Sequence, residues 1–340
     1  MTRRGRAAGL GVVIVLALAG CGLLRAPTPV SDTGAPPGAG KLAPRPVRKT
    51  AAAHPVKPPS DLLHPRSDRK FFGLQVKGAP DSLNPVQNAA AGINRRPNLL
   101  GQYTRWPHPF DARAAANAQS YGALYYVAWE PFKTTLSAIA SGDRDSYITK
   151  FARAVRSYGD PVAISFGHEM NGNWYPWGTT GATAAEFVDA WRHIHELFAK
   201  AGASNVIWVW NPNIINPVPD VQLEPYWPGS AYVDWVGITG YFATTGPDTF
   251  DGLYGSTMTE IRQFTDKPFI IAETSVETGG NELTSIDALI NGVKETSDML
   301  GFVWFDYDKD GVDWSVGDRP QARAAVASDV ASLPLVSVTK

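Results

Sequence analysis

The chain has 340 residues and a formal net charge of −1 at pH 7. This balance argues against nucleic acid as a partner, because proteins that bind nucleic acids usually carry a basic patch. The length suits a single barrel of alternating strands and helices, which commonly takes roughly 200–250 residues. Aromatic residues make up 11% of the chain, with 11 tryptophans, and many stand in turn-like contexts. We therefore predict that these aromatics line a binding cleft.

The start of the chain, residues 1–20, is predicted to be an export signal. Three arginines within the first six residues precede the apolar run Leu10–Ala19, which is too short to span a bilayer comfortably. The segment Leu18-Ala-Gly-Cys21 resembles a bacterial lipobox, whose cysteine is lipidated and becomes the new N-terminus. We predict that Cys21 anchors the protein to the outer face of the cytoplasmic membrane, or that the protein is secreted without lipidation. Cys21 is the only cysteine, so no disulfide forms within the chain.

Residues 21–69 are predicted to form a disordered tether rich in proline and alanine. They show almost no apolar periodicity and bury too little surface to offset the entropy lost on ordering. Such a segment would act as a semi-extended spacer that lifts the folded part away from the membrane. The globular domain is predicted over residues 70–334.

Short apolar runs alternate with helical patterns through this domain. The eight predicted strands are Phe71–Val76, Leu99–Thr104, Ala123–Trp129, Val162–Phe166, Val206–Trp210, Trp235–Thr239, Phe269–Ala272 and Phe302–Phe305. The clearest predicted helices are Tyr147–Tyr158, Ala184–Ala201, Met258–Phe264, Ile286–Thr296 and Gln321–Ala331. Strands that are apolar on both faces and alternate with helices indicate a parallel sheet covered by helices. Eight such units predict an α/β fold, a single (β/α)8 TIM barrel, whose catalytic groups lie at the C-terminal ends of the strands.

Two predicted strands each deliver a glutamate at their C-terminal end. The segment Ser165-Phe-Gly-His-Glu-Met-Asn-Gly-Asn-Trp-Tyr-Pro-Trp177 places Glu169 just after a buried strand and beside aromatic rings. Such rings suit a sugar, because the C–H faces of a sugar are apolar. The segment Lys267–Ser275 repeats the layout and ends its strand with Glu273. Retaining glycosidases use two carboxyl groups roughly 5–5.5 Å apart, so the pair predicts a glycosidase.

The same segments resemble the family 26 glycoside hydrolases, which are retaining β-mannanases and related β-glycanases built on a (β/α)8 barrel. The resemblance rests on four stretches in the same order: His168-Glu-Met-Asn-Gly-Asn-Trp174, Tyr232-Val-Asp-Trp-Val-Gly-Ile-Thr-Gly-Tyr241, Ile271-Ala-Glu-Thr274, and Val303-Trp-Phe305 followed by Asp313-Trp314. It covers approximately residues 70–330.

This resemblance implies a role for each matched residue. Glu169 resembles the acid/base of the family and Glu273 its nucleophile. Tyr241 resembles a tyrosine that hydrogen-bonds the nucleophile and holds it ionised, as a donor to the charged form does. The other implied substrate contacts are His168 to a sugar hydroxyl, Trp174 near the scissile bond, and Trp304 as the platform under the sugar.

Several neighbouring residues leave alternatives open. Well-known mannanases of the family follow the matched tryptophan with arginine, whereas this chain has Phe305, so mannan is not the only candidate substrate. Trp129 and Tyr103, at the ends of the third and second strands, are predicted as further sugar contacts. Glu130 is either a third carboxylate of the site or part of a structural salt bridge. Glu277 lies in a turn-like stretch, so Glu273 is the predicted nucleophile.

The segment Asp306-Tyr-Asp-Lys-Asp-Gly311 has the opening spacing of a calcium loop. Its twelfth position is Gly317 instead of the bidentate glutamate, and the segment follows a strand instead of a helix. We therefore interpret it as an acidic loop near the cleft. Glycosidase chemistry of this type needs no metal, and we predict no cofactor.

Together these features predict a retaining, endo-acting β-glycan hydrolase, most similar to β-mannanases, that acts on a polysaccharide or oligosaccharide. We expect a monomer that contacts the membrane only through its N-terminal lipid. One alternative is the same fold acting on β-1,3-1,4-glucan, β-1,3-xylan or a cell-envelope polysaccharide. Another is a carbohydrate-binding lipoprotein without catalysis, although the presence of both glutamates favours an enzyme.

Overall fold

The computed structural model of the protein describes residues 57–215, 219–309, 311–317 and 319–338. The predicted export signal, Cys21 and the tether before residue 57 lie outside these residues, as does Asp310 of the acidic loop. Eight parallel strands close into one barrel in sequence order, which confirms the predicted (β/α)8 TIM barrel. Within the described ranges, no helix has both the length and the apolar character needed to cross a membrane.

The strands and helices alternate along the chain. The barrel strands are β1 (Phe71–Val76), β2 (Leu99–Arg105), β3 (Leu124–Glu130), β4 (Val162–Phe166), β5 (Val206–Trp210), β6 (Trp235–Thr239), β7 (Phe269–Thr274) and β8 (Met299–Asp306), and a hairpin of β9 (Asp308–Lys309) and β10 (Val312–Asp313) follows them. The helices are α1 (Ser60–Leu63), α2 (Asn84–Gly92), α3 (Ala112–Ser120), α4 (Leu136–Ala140), α5 (Asp145–Tyr158), α6 (Ala184–Ala201), α7 (Ser256–Ile261), α8 (Glu282–Glu295) and α9 (Pro320–Ala331). A 3₁₀ turn at Glu224–Tyr226 and a π-helical turn at Asp251–Gly255 complete the order. All eight predicted strands are present, and the five predicted helices correspond to α5–α9.

Successive side chains of each strand point to opposite sides of the barrel wall. One set forms a buried cluster inside the barrel, which includes Phe71, Leu99 and Leu124. The other set packs beneath the helices and includes Phe72 and Leu100. Because both sides of the wall are buried, each strand appears in the sequence as a continuous apolar run.

Strand β8 contains an irregularity that decides which of its later side chains face the interior. Leu300 and Val303 both belong to the interior cluster, and Gly301 between them has φ 151°. A Cβ at position 301 would lie 2.0 Å from a backbone oxygen of β1, so glycine is required there. From Val303 onward the alternation places Phe305 on the interior side and Trp304 on the helix side of the wall.

Strand β7 is also irregular near its end. Its register against β8 shifts between Ile271 and Thr274, and its register against β6 shifts at the same level. Ala272 belongs to the interior cluster, yet the next side chain, Glu273, also reaches groups at the mouth of the barrel. The shift in register therefore turns the predicted nucleophile toward the site.

The ordered domain extends beyond the predicted range of residues 70–334 at both ends. Leu62 in α1 is buried in the interior cluster, and the carbonyl of Leu63 accepts a 2.9 Å hydrogen bond from the Trp235 indole. At the other end, the backbone N–H of Val336 donates to the carbonyl of Lys70 at 3.1 Å. The prediction of a tether up to residue 69 therefore does not hold for residues 57–69, because one buried leucine in a polar stretch produces no periodic pattern.

Candidate active site

The backbone after β4 places Glu169 over the mouth of the barrel. Gly167 N–H donates to the carbonyl of Trp129 at 3.0 Å, and Glu169 N–H donates to the carbonyl of Asn211 at 2.7 Å. Bonds to both neighbouring strands thus continue past the last residue of β4. Glu169 has φ 55°, a left-handed conformation that costs a non-glycine residue roughly 1–3 kcal/mol and that clusters at functional sites.

The carboxyl group of Glu169 is buried, with a residue exposure of 6%, and has a hydrogen-bond donor on each oxygen. The Trp174 indole donates to Oε2 at 2.8 Å, and the Asn213 amide donates to Oε1 at 2.5 Å. Burial, reinforced by the negative charge of Glu273, raises the pKa of Glu169 to about 7, although the two donors oppose the shift. Glu169 therefore retains a proton below about pH 7, as a general acid must.

A reciprocal amide pair holds Asn213 in place. The side chain of Asn171 donates to the carbonyl of Asn213 at 2.9 Å and accepts from its backbone N–H at 2.8 Å. Both residues are buried, so the Asn213 side chain is held toward Glu169. Neither asparagine was among the residues predicted from sequence, although Asn211-Pro-Asn213 directly after β5 is a polar strand end of the same kind as the two glutamates.

The carboxyl group of Glu273 accepts hydrogen bonds from the hydroxyls of Tyr103 and Tyr241. Tyr103 lies on β2 and Tyr241 follows β6, so strands from opposite parts of the barrel converge on this group. Burial raises the pKa of Glu273, and the two hydroxyl donors act in the opposite direction because they stabilise the carboxylate. The structure thus brings Tyr241 and Tyr103 to Glu273, and the roles of all three remain predictions.

His168 lies under the site as a neutral imidazole. It is 1% exposed, and burial lowers its pKa to about 3. Its Nε2 is 3.3 Å from the hydroxyl of Tyr175, whose ring stacks on Trp177 with centroids 4.4 Å apart. Among the described residues no group bonds the buried Nδ1. A neutral imidazole has one donor and one acceptor nitrogen. The contact of His168 with a sugar hydroxyl stays a prediction.

Phe305 is buried beside the two tyrosines that bind Glu273. Its ring meets Tyr241 edge-on at a centroid distance of 5.9 Å and Tyr103 at 6.5 Å. On another side it stacks on Tyr307 at 4.5 Å. The sequence pattern did not identify Phe305 as a site residue, because the irregularity at Gly301 reverses the facing of the strand end.

Two predicted sugar contacts do not reach this group. Trp304 is 1% exposed, belongs to the cluster beneath the helices, and donates its indole N–H to the carbonyl of Trp314 at 3.2 Å. Trp129 is fully buried on the same side of the wall, with its ring stacked on Phe151 at 4.3 Å. The predicted substrate contacts of Trp304 and Trp129 therefore do not fit their positions, since both side chains face the helices.

The two other glutamates considered have structural partners. Glu130 is buried and forms an ion pair with Arg105 at 3.2 Å, and burial raises its pKa to about 7. Glu277 accepts a 2.8 Å hydrogen bond from the backbone N–H of Thr244 in an exposed position. These contacts favour the salt-bridge interpretation of Glu130. The carboxylate of Glu277 binds a backbone N–H, whereas that of Glu273 binds the two tyrosines.

The acidic loop after β8 uses Asp306 to stabilise the backbone. Its carboxylate accepts a hydrogen bond from the N–H of Val316 at 2.8 Å. The described residues contain no group of three or more histidine, cysteine or acidic side chains placed to hold a metal ion.

Known proteins resemble this chain in both sequence and structure. The profile of the family described as "Glycosyl hydrolase family 26" matches residues 133–314, more than half of the chain. Endoglucanase H of Acetivibrio thermocellus is 32% identical over 271 residues, which cover 74% of this chain and 30% of that protein. A mannan endo-1,4-beta-mannosidase of Bacillus subtilis is 31% identical over 137 residues, which cover 38% of this chain and 34% of that protein. The chain thus spans about a third of the length of these relatives.

The solved structure of a Cellulomonas fimi endo-beta-1,4-mannanase double mutant superposes on this barrel with a TM-score of 0.62. The superposition covers 78% of this chain and 71% of that structure, at 20% sequence identity. At that identity the superposition shows a shared fold.

Proposed function

Because the chain belongs to glycosyl hydrolase family 26, we propose that it is a retaining, endo-acting β-glycan hydrolase with Glu169 and Glu273 as its catalytic pair. The surroundings of these two carboxyl groups carry the proposal. Both groups are buried at the mouth of the barrel, and each accepts hydrogen bonds from two side chains: Glu273 from Tyr103 and Tyr241, Glu169 from Trp174 and Asn213. Burial raises the pKa of both, and the charge of Glu273 raises that of Glu169 further, which favours Glu169 as the acid and Glu273 as the carboxylate.

The two carboxyl groups would act in two displacement steps. In the first, a carboxylate oxygen of Glu273 attacks the anomeric carbon while Glu169 gives its proton to the departing glycosidic oxygen. This step forms a covalent glycosyl-enzyme and leaves Glu169 ionised. In the second, Glu169 takes a proton from a water molecule, and the resulting hydroxyl displaces Glu273 from the sugar. The chain is cut with net retention at the anomeric carbon, and both glutamates return to their starting states.

Mannan is the leading substrate, supported by the alignment with the Bacillus subtilis mannosidase. A β-glucan is the second candidate, because the alignment with Endoglucanase H covers more of this chain. We further propose, from the predicted lipobox, that the enzyme acts outside the cytoplasmic membrane. An anchored enzyme of this kind suits either the degradation of external polysaccharides or the remodelling of the cell envelope.

The proposal is tested by reducing-end release from mannan, β-1,3-1,4-glucan, β-1,3-xylan and a bacterial envelope polysaccharide. We expect the full chain to cleave one of these polymers and Glu273→Ala to cleave none. Proton NMR of the first product then shows whether the anomeric configuration is retained. Binding of a polymer without cleavage would instead establish the carbohydrate-binding alternative.

The hydroxyl of Tyr241 gives a prediction for the pH dependence. The reaction requires ionised Glu273 and protonated Glu169. We therefore expect kcat/KM to fall at low pH, as Glu273 becomes protonated, and at high pH, as Glu169 loses its proton. Tyr241→Phe removes a donor that lowers the pKa of Glu273, so this pKa rises and the acid limb moves to higher pH. Losing a hydrogen bond to a charged group should also lower kcat/KM by about 10- to 100-fold.

The pH profile of Tyr241→Phe should be compared with that of Tyr232→Phe. Tyr232 packs against His195 on the helix side of the barrel, with ring centroids 5.0 Å apart, so its profile should match that of the wild-type enzyme. An acid limb that does not move in Tyr241→Phe would show that this hydroxyl does not stabilise the ionised nucleophile.

A further inference from the structure

The hairpin that follows β8 brings a lysine ammonium group over the ring of Phe305, close to the predicted nucleophile. Lys309 Nζ lies 5.4 Å from the centre of the Phe305 ring. Phe305 in turn meets Tyr103 and Tyr241, whose hydroxyls bind Glu273. A single ring therefore separates the ammonium group from the tyrosines that hold the predicted nucleophile.

The acidic groups of the site already have other partners. Glu273 is held by two tyrosines, Glu169 by Asn213 and Trp174, and Glu130 by Arg105. Among the described residues, none accepts a hydrogen bond or forms an ion pair with the ammonium group of Lys309. The side chain of Lys309 is partly exposed, so a ligand can reach it.

The electrostatic effect of Lys309 reaches the whole site. Burial raises the pKa values of Glu169, Glu273 and Glu130, and the charge of Lys309 acts in the opposite direction on all three. Burial lowers the pKa of His168, and the charge of Lys309 lowers it further. An anion bound to Lys309 would therefore lie within range of the reacting groups. The alkyl stem of a lysine also covers apolar surface while its charged end stays free.

We infer that Lys309 forms a subsite for a carboxylate carried by the substrate, next to the stacked rings of Phe305 and Tyr307. A uronic acid unit fits the partly exposed Tyr307 and Lys309, because its ring has apolar C–H faces and its carboxylate accepts charge-assisted hydrogen bonds from an ammonium group. The inference rests on the proposed function and adds that the enzyme accepts uronic acid units near the cleaved bond of its β-glycan substrate.

Direct binding tests this subsite without relying on catalysis. Dissociation constants of D-glucuronate and D-glucose are measured by isothermal titration calorimetry for the full chain, Lys309→Met and Lys309→Arg. Lys150→Met serves as the matched control, since Lys150 is exposed on the outer helix α5. We expect the wild-type protein to bind glucuronate about tenfold more tightly than glucose, the scale of one hydrogen bond to a charged group.

The preference for glucuronate should disappear in Lys309→Met and persist in Lys309→Arg and Lys150→Met. Equal affinity for the two sugars in the wild-type protein, or an unchanged preference in Lys309→Met, would overturn the inference. A preference that depends on Lys309 in a protein that cleaves no polymer would support the subsite and contradict the catalytic proposal. Hydrolysis of a polymer by a protein that shows no preference for glucuronate would support the catalytic proposal and contradict the subsite.

Discussion

Glu273→Ala should lower turnover of the cleaved polymer by a factor on the order of 10⁵, the loss expected when the nucleophile of a covalent mechanism is removed. The fold should persist, because Glu273 lies at the end of β7 and its loss leaves the apolar interior of the barrel unchanged. Thermal unfolding followed by circular dichroism checks this point. Steady-state rates of reducing-end release give the loss itself.

Added azide sharpens the test of Glu273. The space left by the missing carboxylate admits this small nucleophile on the face that Glu273 would attack, so Glu273→Ala should form the glycosyl azide of inverted configuration. Glu277→Ala is the matched control, because the same side chain four residues later bonds the backbone of Thr244 in an exposed position. Near-normal turnover by Glu273→Ala, or azide rescue of a defect in Glu277→Ala, would remove Glu273 from the reaction.

Glu169→Ala should slow cleavage of the natural polymer by about 10²- to 10⁴-fold, the contribution typical of a general acid. The loss should depend on the leaving group, because a dinitrophenyl glycoside departs without being protonated. We therefore expect the first step on that substrate to remain fast and the glycosyl-enzyme to accumulate, since no base activates the water. Rapid-quench kinetics should show a burst of dinitrophenol.

Azide also distinguishes the two glutamates by the configuration of the product. In Glu169→Ala, azide replaces the water of the second step and should yield the glycosyl azide of retained configuration, opposite to the product of Glu273→Ala. Equal losses on the polymer and on the dinitrophenyl glycoside would contradict an acid role for Glu169. The two products together assign each role independently of any related protein.

The sequence predicted the barrel well because its strands are apolar on both sides of the wall. It missed the early helices for a physical reason that α3 illustrates: the buried face of α3 is formed by Ala114, Ala115 and Ala118, and such small side chains produce little apolar contrast along the chain. Ala184–Ala201, by contrast, was predicted with the observed bounds, since its buried face includes Phe187, Trp191 and other large side chains.

Site residues whose position a sequence motif fixes could be placed from the sequence. Residues whose side-chain direction depends on the local strand geometry were harder to predict. Glu169, Glu273 and Tyr241 lie together as expected. The prediction of a sugar contact for Trp129 does not fit for a simple reason. Side chains alternate along β3, and since Glu130 faces the barrel interior, Trp129 faces the helices. In β8 the irregularity at Gly301 exchanges the facings of Trp304 and Phe305, which an alternating pattern does not reveal. The amide pair of Asn171 and Asn213 joins residues 42 positions apart, so only the folded chain shows it.

The position of α1 has a practical consequence for attaching the enzyme to a support. Leu62 packs among Phe71, Leu99 and Leu124, which begin their strands, so α1 closes the end of the barrel opposite the two glutamates. Whatever precedes residue 57 is therefore joined to the domain on its far side. Immobilisation on a bead or a cell surface through the N-terminus should leave the mouth of the barrel open to a long polymer, whereas coupling through side chains near the hairpin of β9 and β10 should obstruct it.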